Sequence, residues 1–318
     1  APFIYTFLGV KMVLPGTFTV EGFCELIQNE KVTSVAVVPT ILALLLEYED
    51  LDKYDLSSLV NVSVGGGALP LGLKTKIEKK IPGFTASSGY GMTETAPTTI
   101  RAFVKKYMRN WSKEKLDEVR VKTGLPVHGL EVEVVDESGD PVPHDNKKLG
   151  EIVIRGPWVM EKYYKNPEKT AEVWHDGWFH TGDVAKIDEE DFIVIADRMK
   201  DVIRSGSEMV PTVLLENLAA MADFVLEATV VGVPDEVWGE IPMAVVKLVP
   251  NSTEKEEDLI DFLTKEGIEK GKITKWMLPK LVAIVDEIPR TSVGKFNKIE
   301  IRENMDKFLA KAKDMRKK

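Results

Sequence analysis

The chain has 318 residues, 44% of them hydrophobic, enough for two domains with their own cores. A formal net charge of −9 argues against nucleic acid as the main partner, because phosphate binding needs a basic face. The sole cysteine, Cys24, permits no intramolecular disulfide and makes a reducing cytoplasm the expected compartment.

No signal-peptide pattern is visible. The longest apolar run, residues 32–46, is too short to span a bilayer and is interrupted by Thr33, Ser34, Pro39 and Thr40, so no membrane span is expected. Residues 34–38 are a continuous β-branched run closed by Pro39 and Thr40, the pattern of a strand buried on both faces. Residues 40–49 follow as a helix with Ile41, Leu44, Leu45 and Tyr48 on one face. A second strand, 60–64, runs into the loop from Gly65 to Pro70, and residues 71–80 are helical. A third strand, 83–87, runs into Ser88, Gly89, Tyr90, Gly91, Met92, Thr93, Glu94 and Thr95. This alternation predicts a parallel sheet with right-handed crossovers, whose loops share the carboxyl edge where α/β proteins bind ligands.

Those loops carry chemistry. Gly66 and Gly67, before Ala68, let backbone approach a ligand closely, and the Ser/Gly/Thr loop offers hydroxyls and bare N–H groups to a phosphate. Tyr90 offers a flat face for a base, and Glu94 a hard oxygen ligand for magnesium. Each loop alone is more often an ordinary one; their convergence on one sheet edge favours a nucleotide site.

After a charged segment, 101–122, the pattern changes to period two. Residues 130–135, 150–155, 183–187 and 192–196 alternate, with turns at 136–140 and 188–191, and predict a small antiparallel barrel or sheet. Asp183, just after a glycine, can accept hydrogen bonds from both hydroxyls of a ribose, although aspartate in a turn is commonplace. His175 and His180 lack companions for a ligand set and read as surface or core histidines.

Residues 197–216 read as a hinge: five charges in the first eight residues, a Ser-Gly-Ser run, and Pro211 placed to open a helix over 212–221 at its first position. Beyond it, strands at 226–233 and 243–249, a helix at 258–266, a strand at 281–285 and a helix at 298–311 predict a small α+β unit. Residues 289–295 form a short loop presenting Lys295, without the spacing of a phosphate-cradling P-loop. Lys311, Lys313, Arg316, Lys317 and Lys318 read as a solvated helix end in preference to a basic anchor.

Six ordered motifs carry a resemblance: Gly66-Gly67-Ala68, the run from Tyr90 to Glu94, the run from Gly150 to Gly156, Thr181-Gly182-Asp183, the run from Asp197 to Asp201, and the 289–295 loop. In order and spacing the chain resembles the AMP-forming acyl-CoA synthetases of the adenylate-forming superfamily, most of all the fatty-acyl and related carboxylate ligases. The resemblance implies a parallel-sheet α/β platform with an antiparallel β-barrel-like subdomain, followed by a small mobile α+β C-terminal lid. The platform is expected over 1–196 (sheet portion 1–122, β subdomain 123–196), the hinge over 197–201 and the lid over 202–318.

It also implies a reaction: a carboxylate attacks ATP to give an acyl-adenylate and pyrophosphate, then the thiol of coenzyme A displaces AMP. By this likeness Tyr90 stacks on adenine, Gly66, Gly67 and Ala68 line the adenine and acyl pocket beside Gly91, Thr93 holds phosphate and Glu94 magnesium. Asp183 and Arg198 hold the ribose. Lys295 bridges the carboxylate and α-phosphate, Lys200 marks the hinge, and Gly206 lines the thiol path. Ser207 and Leu214 depart from the family pattern, where a glycine and an acidic residue are usual. Nothing in residues 1–30 resembles the family's Ser/Thr/Gly-rich phosphate loop. A C-terminal fragment, or one half of a split enzyme whose partner supplies the N-terminal segment, is therefore expected, inactive for adenylation alone. The alternatives are an adenylating enzyme that passes the acyl group to a carrier protein or other acceptor, and a non-catalytic nucleotide-binding module. A homodimer is left open.

Overall fold

Three parallel strands, β1 (Ser34–Val37), β2 (Asn61–Val64) and β3 (Thr85–Tyr90), lie side by side with Ser34 opposite Asn61 and Asn61 opposite Thr85. The computed structural model describes residues 2–206, 208–291 and 296–317. The sheet continues antiparallel through β4 (Ile100–Arg101) and β5 (Leu125–Pro126). Helices Pro39–Glu47 and Leu71–Lys80 make the two crossovers and close a core of Leu42, Leu45, Val62, Val64, Ile77 and Ala86.

Three expectations change here. The first strand is not buried on both faces: Val35 and Val37 pack on the core, while Ser34 and Ala36 point to the opposite face of the sheet and are exposed. In the following helix Leu42 and Leu45 are buried and Leu44 is 39% exposed. That helix is apolar almost all round, so it has no polar face from which its buried side could be read. Third, Ser88, Gly89 and Tyr90 belong to β3, and the loop begins only at Gly91.

The charged segment holds a helix, Lys113–Val121, with Ser112 as its N-cap accepting from the Lys115 amide. It is tied to Leu71–Lys80 by ions. Lys74, fully buried, pairs with Glu78 and lies 2.9 Å from Asp117.

A second sheet is built from β6 (Glu131–Val135), β7 (Gly150–Arg155), β8 (Trp174–His175), β9 (Trp178–Ile187) and β10 (Ile193–Arg198), in the order β10-β9-β7-β6 with β8 beside β9. Val134, Ile152, Ile154, Phe179, Ala185 and Ile193 fill its core. Its first turn closes where the sequence predicts, with the Asp136 amide donating to the Asp140 carbonyl at 2.8 Å.

The third sheet comprises β11 (Ile203–Ser205), β12 (Glu208–Val210), β13 (Val225–Asp235), β14 (Gly239–Leu248), β15 (Leu281–Ile284) and β16 (Ala312–Asp314). β13 and β14 form a long antiparallel hairpin, with β15 parallel to β14. Alternate residues feed two cores: Val230, Ala244 and Val246 meet Leu215, Leu218 and Leu259, whereas Val231, Val233 and Val245 meet Ile288 and Ile301.

Helix Thr212–Ala219 has Pro211 at its N-cap, one position before the expected one. The helix expected over 298–311 is two, Lys298–Glu303 and Met305–Leu309, interrupted at Asn304. Among the described residues the basic tail is not the end of the second helix, since β16 and a 3-10 turn, Met315–Lys317, follow it. β16 pairs with β15, Lys313 meets Glu257 at 2.6 Å and Arg316 meets Asp235 at 2.8 Å, partners too distant in sequence for a local reading to find.

The chain divides into two compact units, Ala1–Thr181 with Ala185–Ile195, and Gly182–Val184 with Ala196–Lys318. Among the described residues no helix is long and apolar enough to cross a membrane.

Candidate functional site

In the first unit the loop after β2 starts between the carboxyl ends of β1 and β3, at one edge of the parallel sheet. The Gly65 amide donates to the Val37 carbonyl at 3.0 Å, and a Cβ on Gly65 would meet the Gly89 carbonyl at 3.5 Å. Gly66, in the left-handed region at φ +71°, then turns the chain so that Gly66, Gly67 and Ala68 are exposed, while Leu69 is buried. Gly91 answers a tighter constraint: a Cβ there would come within 1.6 Å of the Pro97 carbonyl oxygen.

Beyond Gly91 a single 3-10 turn, Thr93–Thr95, is anchored by its last residue. The buried Thr95 hydroxyl accepts from the Met92 amide at 3.1 Å and from the Thr99 hydroxyl at 2.8 Å. This leaves Thr93 exposed and Glu94 half-buried beside Tyr90, which ends β3. Glu94 is held twice: Oε1 accepts from the Tyr163 hydroxyl at 2.8 Å, and its carbonyl accepts from the Met160 amide at 2.8 Å. Burial and the bond to Glu94 push the Tyr163 phenol up to about 12. Sequence reasoning missed Tyr163, which lies in a polar stretch with no periodicity.

Glu94 suits magnesium in one mode only. Among the described residues no group of three or more His, Cys, Asp or Glu side chains could hold a metal. Magnesium commonly takes one or two carboxylates together with phosphate oxygens, and a single carboxylate beside a hydroxyl-bearing turn fits an ion that arrives with a phosphate. His175 and His180 stack with ring centroids 3.6 Å apart, their Nδ1 atoms 3.0 Å from Asp176 and 2.8 Å from Glu151.

In the second unit Asp183 and Arg198 come together, Arg198 Nε 3.5 Å from Asp183 Oδ1, with the carboxylate side chain buried and the arginine side chain 64% exposed. Gly182, at φ +70°, makes this approach possible by accepting the Met199 amide at 2.8 Å. The two aspartates flanking Arg198 and Lys200 turn inward: Asp197 accepts from the Thr212 amide at 2.5 Å and hydroxyl at 2.6 Å, and Asp201 pairs with Arg302 at 2.8 Å. Arg198 and Lys200 are left at the surface.

Gly206, at φ +64°, donates its amide to the Trp238 carbonyl at 2.7 Å, and its bare Cα faces two indoles. A Cβ would be 3.5 Å from Trp238 and 3.7 Å from Trp276, whose rings meet edge to face at 4.5 Å. Lys280 Nζ lies 5.8 Å from the Trp276 ring, and burial together with neighbouring Lys275 and Arg316 lowers its affinity for a proton. This aromatic and cationic surface was also missed; its signal was an exposed-looking tryptophan in the polar turn before Gly239. Lys295 and Ser207 lie outside the described residues.

The architecture is that of the C-terminal part of adenylate-forming enzymes. The family model for AMP-binding enzymes matches residues 1–164 and that for the AMP-binding enzyme C-terminal domain matches residues 214–295; the chain belongs to this family. It is 40% identical over 314 residues to a long-chain-fatty-acid–CoA ligase of Thermus thermophilus, covering 98% of this chain and 56% of that protein. Among solved structures it is similar to ATP-bound MatB from Rhodopseudomonas palustris (TM-score 0.79, 28% identity, 95% of this chain and 56% of that one). It is also similar to the amide bond synthetase McbA from Marinactinospora thermotolerans (TM-score 0.77, 29% identity, 91% and 55%). The chain thus spans a little over half the length of these relatives.

Proposed function

We propose that this chain serves an ATP-dependent carboxylate:CoA ligase, with fatty acids as the substrate class. The observation that carries the reading is the convergence of Gly66–Ala68, Tyr90, Thr93 and Glu94 at one sheet edge, where exposed backbone, an aromatic ring, a hydroxyl and a carboxylate meet the needs of a nucleotide. Tyr90 stacks on the adenine, Thr93 donates to a phosphate oxygen, and Glu94 holds a magnesium ion that, when bound, neutralises phosphate charge. Asp183 accepts from the ribose hydroxyls with Arg198 beside it. A carboxylate oxygen attacks the α-phosphorus as pyrophosphate leaves, and Lys295 counters the growing charge. The CoA thiolate then attacks the acyl carbon and AMP leaves.

For the second step, Gly206 leaves room for a thiol-bearing arm, and Trp238, Trp276 and Lys280 offer flat faces and positive charge to an adenine nucleotide. Residues 197–201 are the proposed hinge, since a group that faces phosphate in one step must clear the way for a thiol in the next. The likeness to the T. thermophilus ligase supports the fatty-acyl class. The likeness to an amide bond synthetase supports a second reading, in which the adenylate is passed to another acceptor.

The test is thermal unfolding of this chain with non-hydrolysable acyl-adenylate analogues of several acyl lengths. Near 100 times the dissociation constant, binding stabilises by about 2.7 kcal/mol, which raises Tm by a few degrees. A shift that grows with acyl length supports the fatty-acyl reading. A shift equal for AMP and every analogue removes it and favours the non-catalytic nucleotide-binding module, whereas no shift with any of them removes the nucleotide site from this chain.

A further inference from the structure

We propose that Tyr163 is a positioning residue for Glu94, fixing one carboxylate oxygen so that the other is presented to a phosphate-borne cation. The inference rests on the reading of Glu94 as the magnesium ligand. Glu94 stands on a single 3-10 turn, Thr93–Thr95, too short to orient a three-carbon side chain by itself. The segment 160–174 grips that turn from outside. Tyr163 donates to Oε1 at 2.8 Å and the Met160 amide to the Glu94 carbonyl at 2.8 Å, so side chain and backbone are held by one strap. Among the described residues Oε2 makes no hydrogen bond to protein.

The strap is itself braced. Trp174 Nε1 donates to the Met160 carbonyl at 2.8 Å, and the Tyr163 amide donates to the Thr170 hydroxyl at 3.0 Å. Thr170 in turn donates to the Asn166 carbonyl at 2.8 Å, and Asn166 caps helix Pro167–Val173 by accepting from the Lys169 amide at 3.0 Å. A tyrosine needed only for packing would not require its hydroxyl to end on a carboxylate. An outer hydrogen bond of this kind confines a ligating carboxylate to one orientation, and its loss commonly weakens metal binding 10- to 100-fold.

The experiment is calorimetric titration of the chain with ATP at a series of magnesium concentrations, for the wild type, Tyr163→Phe and Glu94→Gln. Tyr163→Phe is expected to raise the magnesium concentration for half-maximal enhancement about 10-fold, leaving metal-free ATP affinity and Tm close to wild type. Glu94→Gln is expected to abolish the enhancement. A Tyr163→Phe curve that overlays the wild type, while Glu94→Gln loses the enhancement, overturns the role of Tyr163 alone. If Glu94→Gln keeps the wild-type magnesium response, the metal role of Glu94 falls, and this inference with it.

Discussion

Gly91 and Gly206 are both glycines that the resemblance places in the proposed site, yet their surroundings give them different costs of substitution. A methyl at Gly91 collides with backbone at 1.6 Å, which no side-chain rearrangement relieves, so Gly91→Ala is expected to destabilise the first unit by more than about 3 kcal/mol. At Gly206 the nearest atoms lie at ordinary contact distance, and only the left-handed backbone opposes a side chain. Gly206→Ala should cost about 1 kcal/mol in urea unfolding and affect the CoA-dependent step far more than stability. Lys74 is the other residue whose role is set by its surroundings. Lys74→Met leaves Glu78 and Asp117 without their buried cation and is expected to cost about 3 kcal/mol. Burial works to raise the Asp117 carboxyl, but bonds from Lys113 and Lys74 outweigh it and hold the group below its ordinary value. The folded-state value being depressed, this contribution is present above the unfolded carboxylate value near pH ~3.9 and is lost as pH falls through the folded one. Melting curves from pH 5 to pH 2 should show the loss in the wild type and a flatter profile in Asp117→Asn.

At the scale of the element, helix Thr212–Ala219 illustrates how a start signal and an actual cap differ. Pro211 announces the helix but brings no hydrogen-bonding side chain, and the Thr212 amide and hydroxyl bond instead to Asp197, fifteen residues earlier. Asp197→Ala is expected to cost about 2 kcal/mol, the upper range for a lost N-cap, with hydrogen exchange accelerated at the Thr212 amide. If that amide keeps its protection, the capping role is wrong. Strands and crossover helices were legible because their periods differ and glycine or proline punctuates them. The helix Lys113–Val121 was not, since it lies in a segment legible only as charged, and its buried partner Lys74 stands far away in sequence. The strand β16 that follows the two helices of 298–311 likewise depends on pairing with β15, a partner outside any local window.

For the whole molecule, the proposed chemistry divides by step, and Lys295 tests the division. In the complete enzyme Lys295→Ala should slow adenylation at least about 100-fold, the scale of one transition-state donor, while thioester formation from supplied acyl-adenylate continues. Equal loss in both half-reactions would sink the assignment. The sequence by itself determined the order of motifs, the parallel sheet, and the residue types gathered at its carboxyl edge, because these follow from local period and from spacing along the chain. Only the tertiary structure decided which of those residues are held and by what. That Tyr163 grips Glu94, that Asp197 and Asp201 serve as anchors while Arg198 and Lys200 stay at the surface, and that Gly206 opens onto two tryptophans all depend on contacts between residues far apart in sequence. Such contacts are set by side-chain packing and burial, which leave no periodic trace in the chain.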